Sequence, residues 1–324
     1  MKYIDMHCDT LMPFADGVPY NIHRNNMMVD FEKLKAGDCS AQFFAMFLPA
    51  PRHWEREGKT PIPDWEYLKM LSAGFYANIN ANSDMIAFAG NADDWRENEK
   101  AGKMSAFLTI EDGRAVGGDM TNLTTFYDMG VRLISLTWNF ENCFGYPNSK
   151  DPDIMSRGLK PFGIEAMPVM NDLGIIIDVS HLSDGGFYDV AKYSKKPFVA
   201  SHSNCRAITG HTRNLTDDMI KVLADTGSVS GINFGPDFIT PDGEKLICSV
   251  ENIITHIRHF VDVGGIDCVG IGTDFDGVRG EMEIDNASKM DLLFTGLEKA
   301  GFTDDQIEKI AFKNVARVIE ESMK

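Results

Sequence analysis

Short runs of apolar, β-rich sequence alternate along this chain with longer amphipathic segments. Most of the runs are almost continuously apolar, which is typical of parallel strands that are covered on both faces. A ninth run, MIAFAG at residues 85–90, predicts an additional strand outside the main set. The eight main runs predict strands at residues 3–9, 40–49, 104–112, 131–139, 174–181, 197–204, 228–234 and 268–277.

The segments between these runs repeat apolar residues at three- and four-residue spacing, which predicts amphipathic helices. Several of them begin with Ser, Thr, Asn or Asp and end with Gly, which are common capping residues. This alternation, without a linker, favours a single (β/α)8 barrel domain with small insertions over residues 1–324. A doubly wound open sheet is the alternative, but no G-x-G-x-x-G follows the first strand.

The composition of the chain argues against two kinds of binding partner, nucleic acids and membranes. The net charge of −17 argues against nucleic acid, because phosphate binding needs clustered Lys and Arg. No apolar run approaches the roughly 20 residues that a membrane helix requires, and the start MKYIDMHCDT lacks the pattern of a signal peptide. The six cysteines are scattered without a C-x-x-C pair, which indicates reduced, packed thiols. We therefore expect a cytoplasmic protein that does not bind membranes.

Residues with metal or acid–base chemistry recur where the predicted strands end. In a (β/α)8 barrel the carboxyl ends of all strands open onto one face, and that face carries the active site. The sequence therefore predicts that these residues converge although they are far apart in the chain. They are His7, Asp9, Glu111, Asp112, Trp138, Asn139, His181, His202, Asn233, Asp274 and Asp276.

Three sets of these residues suit divalent cations. His7 and Asp9 are two apart on a strand, so they project together and can bind one ion, while Cys8 points away into packing. His181 and His202 end neighbouring strands and can hold a second ion. Glu111 follows the apolar run AFLTI, where an acid is costly unless it is paired or bound to a cation. A carboxylate there can bridge two metals.

Other polar residues suggest further roles. Asp274 follows VGIGT and can exchange a proton with a metal-bound water and a leaving group. Asp276 is two residues along, and the pattern alone does not separate the two acids, although Gly277 suggests that Asp276 is already in a turn. Arg213 lies in a polar loop eleven residues beyond His202 and can clamp a substrate carboxylate with its planar guanidinium.

The H-x-D of the first strand, the Glu in TIEDG, the histidines of DVSH and ASHSN, Arg213 and the GTDFDG near the end resemble the membrane (renal) dipeptidase family of zinc peptidases. The resemblance runs in order from residue 4 to about residue 280. It implies a hydrolase of small dipeptides, including those with a C-terminal D-residue, that is commonly a homodimer. It also implies two Zn²⁺ per subunit and a hydroxide between them. The implied roles are metal binding by His7, Asp9, Glu111, His181 and His202, proton transfer by Asp274, and carboxylate binding by Arg213.

One position departs from the family pattern. The eukaryotic members carry a histidine after LT on the fourth strand, where this chain has Trp138 in LTWNFEN. The replacement removes a donor able to stabilise a tetrahedral oxyanion, and Asn139 or Tyr146 are candidates to take over. We expect Trp138 and Asn139 to lie beside the substrate.

Two other functions stay open at this point. The first is another hydrolysis on the same metals, of N-acyl amino acids, lactones or phosphoesters. The second is metal or peptide binding by an inactive homologue, against which the retention of Asp274 and of every candidate ligand argues.

Overall fold

The computed structural model describes residues 1–16, 20–50, 54 and 58–323, and within these ranges it contains nine strands. All eight predicted main strands are present, and the run at 85–90 also forms a strand. The strands are β1 (Tyr3–Cys8), β2 (Cys39–Phe47), β3 (Ile86–Phe88), β4 (Met104–Glu111), β5 (Val131–Ser135), β6 (Ile176–Asp178), β7 (Val199–Ala200), β8 (Val229–Ile232) and β9 (Val269–Ile271).

Eight of these strands close into a parallel barrel. The order around the ring is β1-β2-β4-β5-β6-β7-β8-β9, and β9 pairs back onto β1. β2 pairs directly with β4, from Ala41 with Ser105 to Phe47 with Glu111, so β3 is left outside the ring on the amino end of β4. The predicted (β/α)8 barrel is therefore confirmed, and so is the extra strand outside it.

The seam between β1 and β9 is short. One residue pair, Asp5 with Ile271, registers the two strands. The Asp5 carboxylate adds to the seam by accepting hydrogen bonds from the backbone N–H of Thr273 at 2.8 Å and from its hydroxyl at 2.7 Å. Beyond this pair the seam continues through backbone bonds as well, from the Asp274 N–H to the His7 carbonyl at 3.2 Å and from the Asp9 N–H to the Phe275 carbonyl at 2.9 Å.

Helices surround the ring, and many of them begin at the side chains that the sequence predicted. Asp30, Asn91, Ser183, Thr216 and Ser249 each accept a hydrogen bond from a backbone N–H in the first helical turn. No helix in the described ranges is long and apolar enough to cross a membrane. The helices are α1 (Phe31–Ala36), α2 (Asp64–Ala81), α3 (Ala92–Lys100), α4 (Thr121–Asp128), α5 (Pro152–Met155), α6 (Pro161–Leu173), α7 (Asp184–Tyr193), α8 (Asp217–Asp225), α9 (Pro236–Ile239), α10 (Val250–Gly264), α11 (Asp291–Lys299), α12 (Asp304–Glu308) and α13 (Asn314–Ser322).

The core has two layers, because successive strand residues face opposite sides of the barrel wall. The larger layer lies between the strands and the helices. The smaller layer fills the barrel interior, where the rings of Phe43 and Phe107 stack with centroids 4.5 Å apart. Val315, Val318 and Ile319 of α13 join this interior layer. Apolar packing therefore fills the amino-end half of the barrel, and the polar residues lie at the carboxyl end.

Several strands end earlier than the sequence predicted. The run at 174–181 was expected to reach His181, and the run at 268–277 was expected to pass Asp274, but β6 ends at Asp178 and β9 ends at Ile271. The Asp178 carboxylate accepts the backbone N–H of Ser180 at 2.9 Å, which turns the chain out of the ladder. His181 and Asp274 then adopt left-handed backbone conformations, with φ of 67° and 60°. Both side chains are presented by turns instead of strands.

Candidate active site

The predicted residues converge at the carboxyl end of the barrel. Three overlapping groups of side chains place their ligand atoms within 4.8 Å of one another. All five predicted metal ligands belong to these groups, and so does Asp274. The groups are His7 with Asp9 and Glu111, Glu111 with His181 and His202, and His7 with His202 and Asp274.

His7 reaches this site because β1 is irregular. Ile4 and Met6 belong to the interior layer, and simple alternation would then send Cys8 inward and His7 outward. The register between β1 and β2 shifts between Asp5 and Cys8, which reverses the alternation. Cys8 consequently packs in the outer layer, as predicted, and His7 joins the polar cluster.

In the first group, buried polar atoms of His7 and Asp9 make no hydrogen bond to other described residues. The Nε2 atom of His7 lies 3.6 Å from Asp9 Oδ2 and 3.6 Å from Glu111 Oε2. Both ring nitrogens of His7 and Oδ1 of Asp9 are buried without a hydrogen-bond partner among the described residues. Burial alone would lower the pKa of His7, but the charges of Glu111 and Asp9 outweigh it and raise that pKa well above its usual value. Burial and the Glu111 charge raise the pKa of Asp9 to about 6.

The second group brings two histidines against the other oxygen of Glu111. His181 Nε2 lies 2.9 Å from Glu111 Oε1, and His202 Nε2 lies 3.7 Å from the same oxygen. The two Nε2 atoms are 3.2 Å apart. Burial, with the charge of Arg213, lowers the pKa of His181 to about 4, and burial likewise lowers the pKa of His202. Both rings are therefore neutral near pH 7 and can each offer a lone pair to a cation.

The opposite nitrogens of these two rings are hydrogen-bonded. His181 Nδ1 lies 3.2 Å from Asn139 Oδ1, and His202 Nδ1 lies 2.7 Å from Ser201 Oγ. Ser201 in turn donates to the Asp178 carboxylate at 2.7 Å. Ser201 and Asp178 are not among the site residues that the sequence predicts. The acid inside the apolar run GIIIDVS is the signal that was available, because a buried carboxylate needs several partners.

The donor set fits divalent cations. Three carboxylates, those of Asp9, Glu111 and Asp274, meet three imidazoles in a region that is almost fully buried. The facing Nε2 atoms of His181 and His202 and the buried Oδ1 of Asp9 can offer lone pairs to a cation, and so can one ring nitrogen of His7 once that ring is neutral. Imidazole with carboxylate is a combination that zinc accepts.

The structure separates the two acids that the sequence could not. Asp274 Oδ1 lies 3.7 Å from His7 Nε2, and its Oδ2 accepts a hydrogen bond from Asn233 Nδ2 at 2.8 Å. Burial and the charges of Asp9 and Glu111 outweigh the opposing effect of His7 and raise the pKa of Asp274 to about 7. Asp276 instead accepts from the Thr10 hydroxyl at 2.6 Å and from the Met28 backbone at 2.6 Å. Asp276 thus holds the loops around the site.

A cavity of about 360 Å³ opens above the cluster. Trp138 forms part of its wall, with its ring centroid 4.9 Å from that of Phe47 and 6.1 Å from that of His181. Asn139 lines the cavity too, but Tyr146 does not and instead packs its ring against Arg157. The lining consists of Asp9, Met12, Phe47, Pro49, Ala50, Glu111, Trp138, Asn139, His181, Phe238, Asp274, Gly277 and Val278.

Arg213 is a buried cation near Phe238, a residue of the cavity wall, and is not itself among the lining residues. Its Nη1 donates to Ser203 Oγ at 3.2 Å and its Nη2 donates to the His202 carbonyl at 3.1 Å. Its buried Nε has no hydrogen-bond partner in the part of the chain that the structure describes. No acid of the described chain lies within ion-pair distance of it, and burial lowers its pKa. The guanidinium carbon is 5.7 Å from the centre of the Phe238 ring, which lines the cavity. A buried cation without a carboxylate partner can hold an anionic ligand.

Comparisons with known proteins agree with this site. The sequence model of the membrane dipeptidase family, peptidase family M19, matches residues 1–324. An uncharacterized dipeptidase of Schizosaccharomyces pombe is 32% identical over 299 residues, which are 89% of this chain and 71% of the relative.

Solved structures give the same result. The dipeptidase AC, a metallopeptidase of family M19, superposes with a TM-score of 0.89 at 26% identity over 100% of this chain and 99% of its own. A metallopeptidase of Rhodobacter sphaeroides, bound to a phosphinate mimic of the dipeptide L-Ala-D-Ala, superposes with a TM-score of 0.87 at 25% identity over 99% of both chains. With the match over the whole chain, they show that this protein belongs to the membrane dipeptidase family and is a metallodipeptidase.

Proposed function

We propose that this protein hydrolyses small dipeptides with two zinc ions. His7 and Asp9 would hold one ion, His181 and His202 the other, and Glu111 would bridge them. The observation that carries the proposal is the position of Glu111, whose Oε2 faces His7 at 3.6 Å while its Oε1 faces His181 at 2.9 Å. A carboxylate whose two oxygens face two separate sets of ligands is suited to a pair of cations.

The chemistry needs a nucleophile and a proton carrier. Zinc ions held by these residues would make a hydroxide available near neutral pH, and hydroxide is the nucleophile that attack on a peptide carbonyl requires. Asp274 accepts the proton and delivers it to the departing amine, a role that suits a buried carboxylate with one oxygen directed toward the ligand cluster. Asn233, which donates to Oδ2 at 2.8 Å, keeps Oδ1 directed toward the ligand cluster.

Arg213 and the cavity limit the substrate. A guanidinium with an unused buried Nε suits the free carboxylate of a dipeptide. A cavity of about 360 Å³ suits a ligand of that size. The mimic bound by the Rhodobacter sphaeroides relative has a D-residue at its carboxyl end, which supports acceptance of such substrates here.

Trp138 gives the cavity an apolar wall where the eukaryotic members carry a donor. We propose that it contacts the substrate by packing, together with Phe47. Asn139 uses its Oδ1 on His181, so only its Nδ2 is left for the substrate. With Trp138 in a packing role, bound cations would supply the stabilisation of an oxyanion.

A second candidate, hydrolysis of N-acyl amino acids, is favoured by the same Arg213, because these substrates also end in a carboxylate. Assays with L,L and L,D dipeptides beside N-acyl amino acids and lactones separate the possibilities. Turnover of the acyl amino acids but not of the dipeptides would favour the second candidate.

Glu111→Gln tests the bridge. It should lower zinc content and dipeptide turnover together, because an amide offers only one oxygen as a ligand. Asp274→Asn serves as the contrast, since it should retain zinc while turnover falls by roughly 100-fold or more. Zinc analysis and steady-state kinetics check both. A Glu111→Gln protein with both metals and full activity would refute the bridging role.

A further inference from the structure

A ring of polar groups behind His202 is built around one carboxylate. Asp178, at the carboxyl end of β6, is fully buried, and no basic side chain of the described ranges lies within ion-pair distance of it. Its partners are neutral donors. They are the backbone N–H of Ser180 at 2.9 Å, the backbone N–H of Ser201 at 2.8 Å, the hydroxyl of Ser201 at 2.7 Å, and the hydroxyl of Ser135.

The hydrogen positions in this ring of polar groups follow from the number of donors and acceptors that it contains. A carboxylate only accepts, so the single hydroxyl hydrogen of Ser201 is donated to Asp178. The Ser201 oxygen, 2.7 Å from His202 Nδ1, then has only lone pairs to offer to the imidazole of His202. His202 must therefore carry its hydrogen on Nδ1, which leaves a lone pair on Nε2. Ser180 Oγ, 3.2 Å from Ser201 Oγ, can donate to the remaining lone pair.

We infer that Asp178 and Ser201 act as positioning residues that determine which nitrogen of His202 carries the proton and so reserve Nε2 for a cation. The inference rests on the metal-binding role proposed for His202. Ordering of a ligating histidine by an acceptor on its other nitrogen is a general feature of metal sites. In this chain the acceptor is a serine hydroxyl whose direction is determined by a buried acid one strand away.

The ring of polar groups bonds to a proposed ligand of only one of the two cations, the one assigned to His181 and His202. Within the described ranges His7 Nδ1 has no hydrogen-bond partner, and His181 Nδ1 lies against the amide of Asn139, a solvent-exposed residue. Disturbing the ring should therefore weaken the cation held by His181 and His202 more than the cation held by His7 and Asp9.

Two substitutions disturb the ring in different ways. Ser201→Ala removes the acceptor of the Nδ1 hydrogen. Asp178→Asn should reverse the direction of the hydrogen bonds from residue 178 through Ser201 to His202. Its amide oxygen must face the backbone N–H groups of Ser180 and Ser201, so its NH₂ group faces the Ser201 hydroxyl. That hydroxyl then donates to His202 Nδ1, and the ring hydrogen moves to Nε2, where it blocks a cation.

The chain offers a matched control. Ser135 is as buried as Ser201 and donates to the same oxygen of Asp178, but it makes no bond to His202. Ser135→Ala therefore removes a donor of the same kind from the same carboxylate. Ser201→Thr, which keeps the hydroxyl, is the conservative variant expected to rescue the function.

Zinc titration of metal-free proteins against a chromophoric chelator, with nitrogen NMR of the histidine rings, tests the inference. Ser201→Ala and Asp178→Asn should weaken the second zinc by roughly 10–100-fold, while Ser135→Ala and Ser201→Thr stay near wild type. NMR should find the hydrogen of His202 on Nδ1 in the wild type and on Nε2 in Asp178→Asn. Thermal unfolding of each metal-free variant confirms that it folds.

Two results would overturn the inference. One is an equal loss of zinc in Ser135→Ala and Ser201→Ala, which would indicate a merely structural network. The other is a wild-type His202 with its hydrogen on Nε2. A wild type that binds no zinc would instead refute the proposed function, and the NMR result would still decide how His202 is protonated.

Discussion

At the scale of single residues, Arg213 offers the most direct test of substrate recognition. Arg213→Met keeps much of the buried packing and removes the charge. We expect kcat/KM for dipeptides to fall by roughly 100-fold, because charge-assisted hydrogen bonds to a carboxylate are lost. Dipeptide amides, which lack that carboxylate, should change far less. An equal loss on both substrates would argue against the clamp. Zinc analysis is the control, since Arg213 also donates to the His202 carbonyl.

Residues whose chemistry is marked by their position could be predicted from the sequence. His7, Asp9, Glu111, His181 and His202 each follow an apolar run, and the structure brings their side chains together. The partners behind them could not be predicted in the same way. Ser201 is one of many serines, and its importance comes from the direction of one hydroxyl, which sequence spacing does not encode.

At the scale of elements, the turn after β9 depends on Gly277. A Cβ at this position would clash with the carboxylates of Asp9 and Asp274. Gly277→Ala should therefore displace both acids and lower zinc retention and kcat/KM, the latter by roughly 100-fold for a shift of about 1 Å. Gly145→Ala is the control, because its Cβ would meet Leu159 at an ordinary 3.4 Å. Wild-type zinc content and turnover in Gly277→Ala would show that the turn tolerates a side chain.

The apolar pattern of the sequence predicts where strands lie but not where they end. Apolar runs located every strand, because burial on both faces leaves a continuous signal. They could not locate the strand ends at Asp178 and Ile271, since side-chain hydrogen bonds and left-handed residues end the ladder there. The shift in β1 is similarly hidden, because His7 and Cys8 exchange faces without any change in the apolar pattern.

At the scale of the whole molecule, the site should make the metal-free protein less stable as pH rises. His7 has a raised pKa and Asp274 has a pKa of about 7, so near neutral pH the folded chain binds protons at these two groups that the unfolded chain has largely released. His181 and His202, with lowered pKa values, act in the opposite direction around an unfolded pKa of about 6.5 and are almost neutral in both states by about pH 7.5. The unfolding temperature should fall by a few degrees between about pH 7 and 8.5.

Calorimetry of the chelated and the zinc-loaded protein checks this expectation. Zinc takes the place of the protons, so the difference between the two unfolding temperatures should widen with pH. Asp274→Asn should show a shallower slope, because one of the two proton-binding groups is gone. A metal-free protein whose unfolding temperature rises over the same pH range would contradict the raised pKa values of His7 and Asp274.

The seam between β1 and β9 has a consequence for the order in which the site can assemble. Contacts within β1, β2 and β4 bring His7, Asp9 and Glu111 together, whereas Asp274 reaches His7 only across a sequence separation of more than 260 residues. We expect contacts that distant to form late, because the chain must first close its longest loop. The proposed ligands His7, Asp9 and Glu111 can therefore gather before Asp274 arrives. A barrel not yet closed at this seam would have part of the proposed metal-binding set but not the proposed proton carrier.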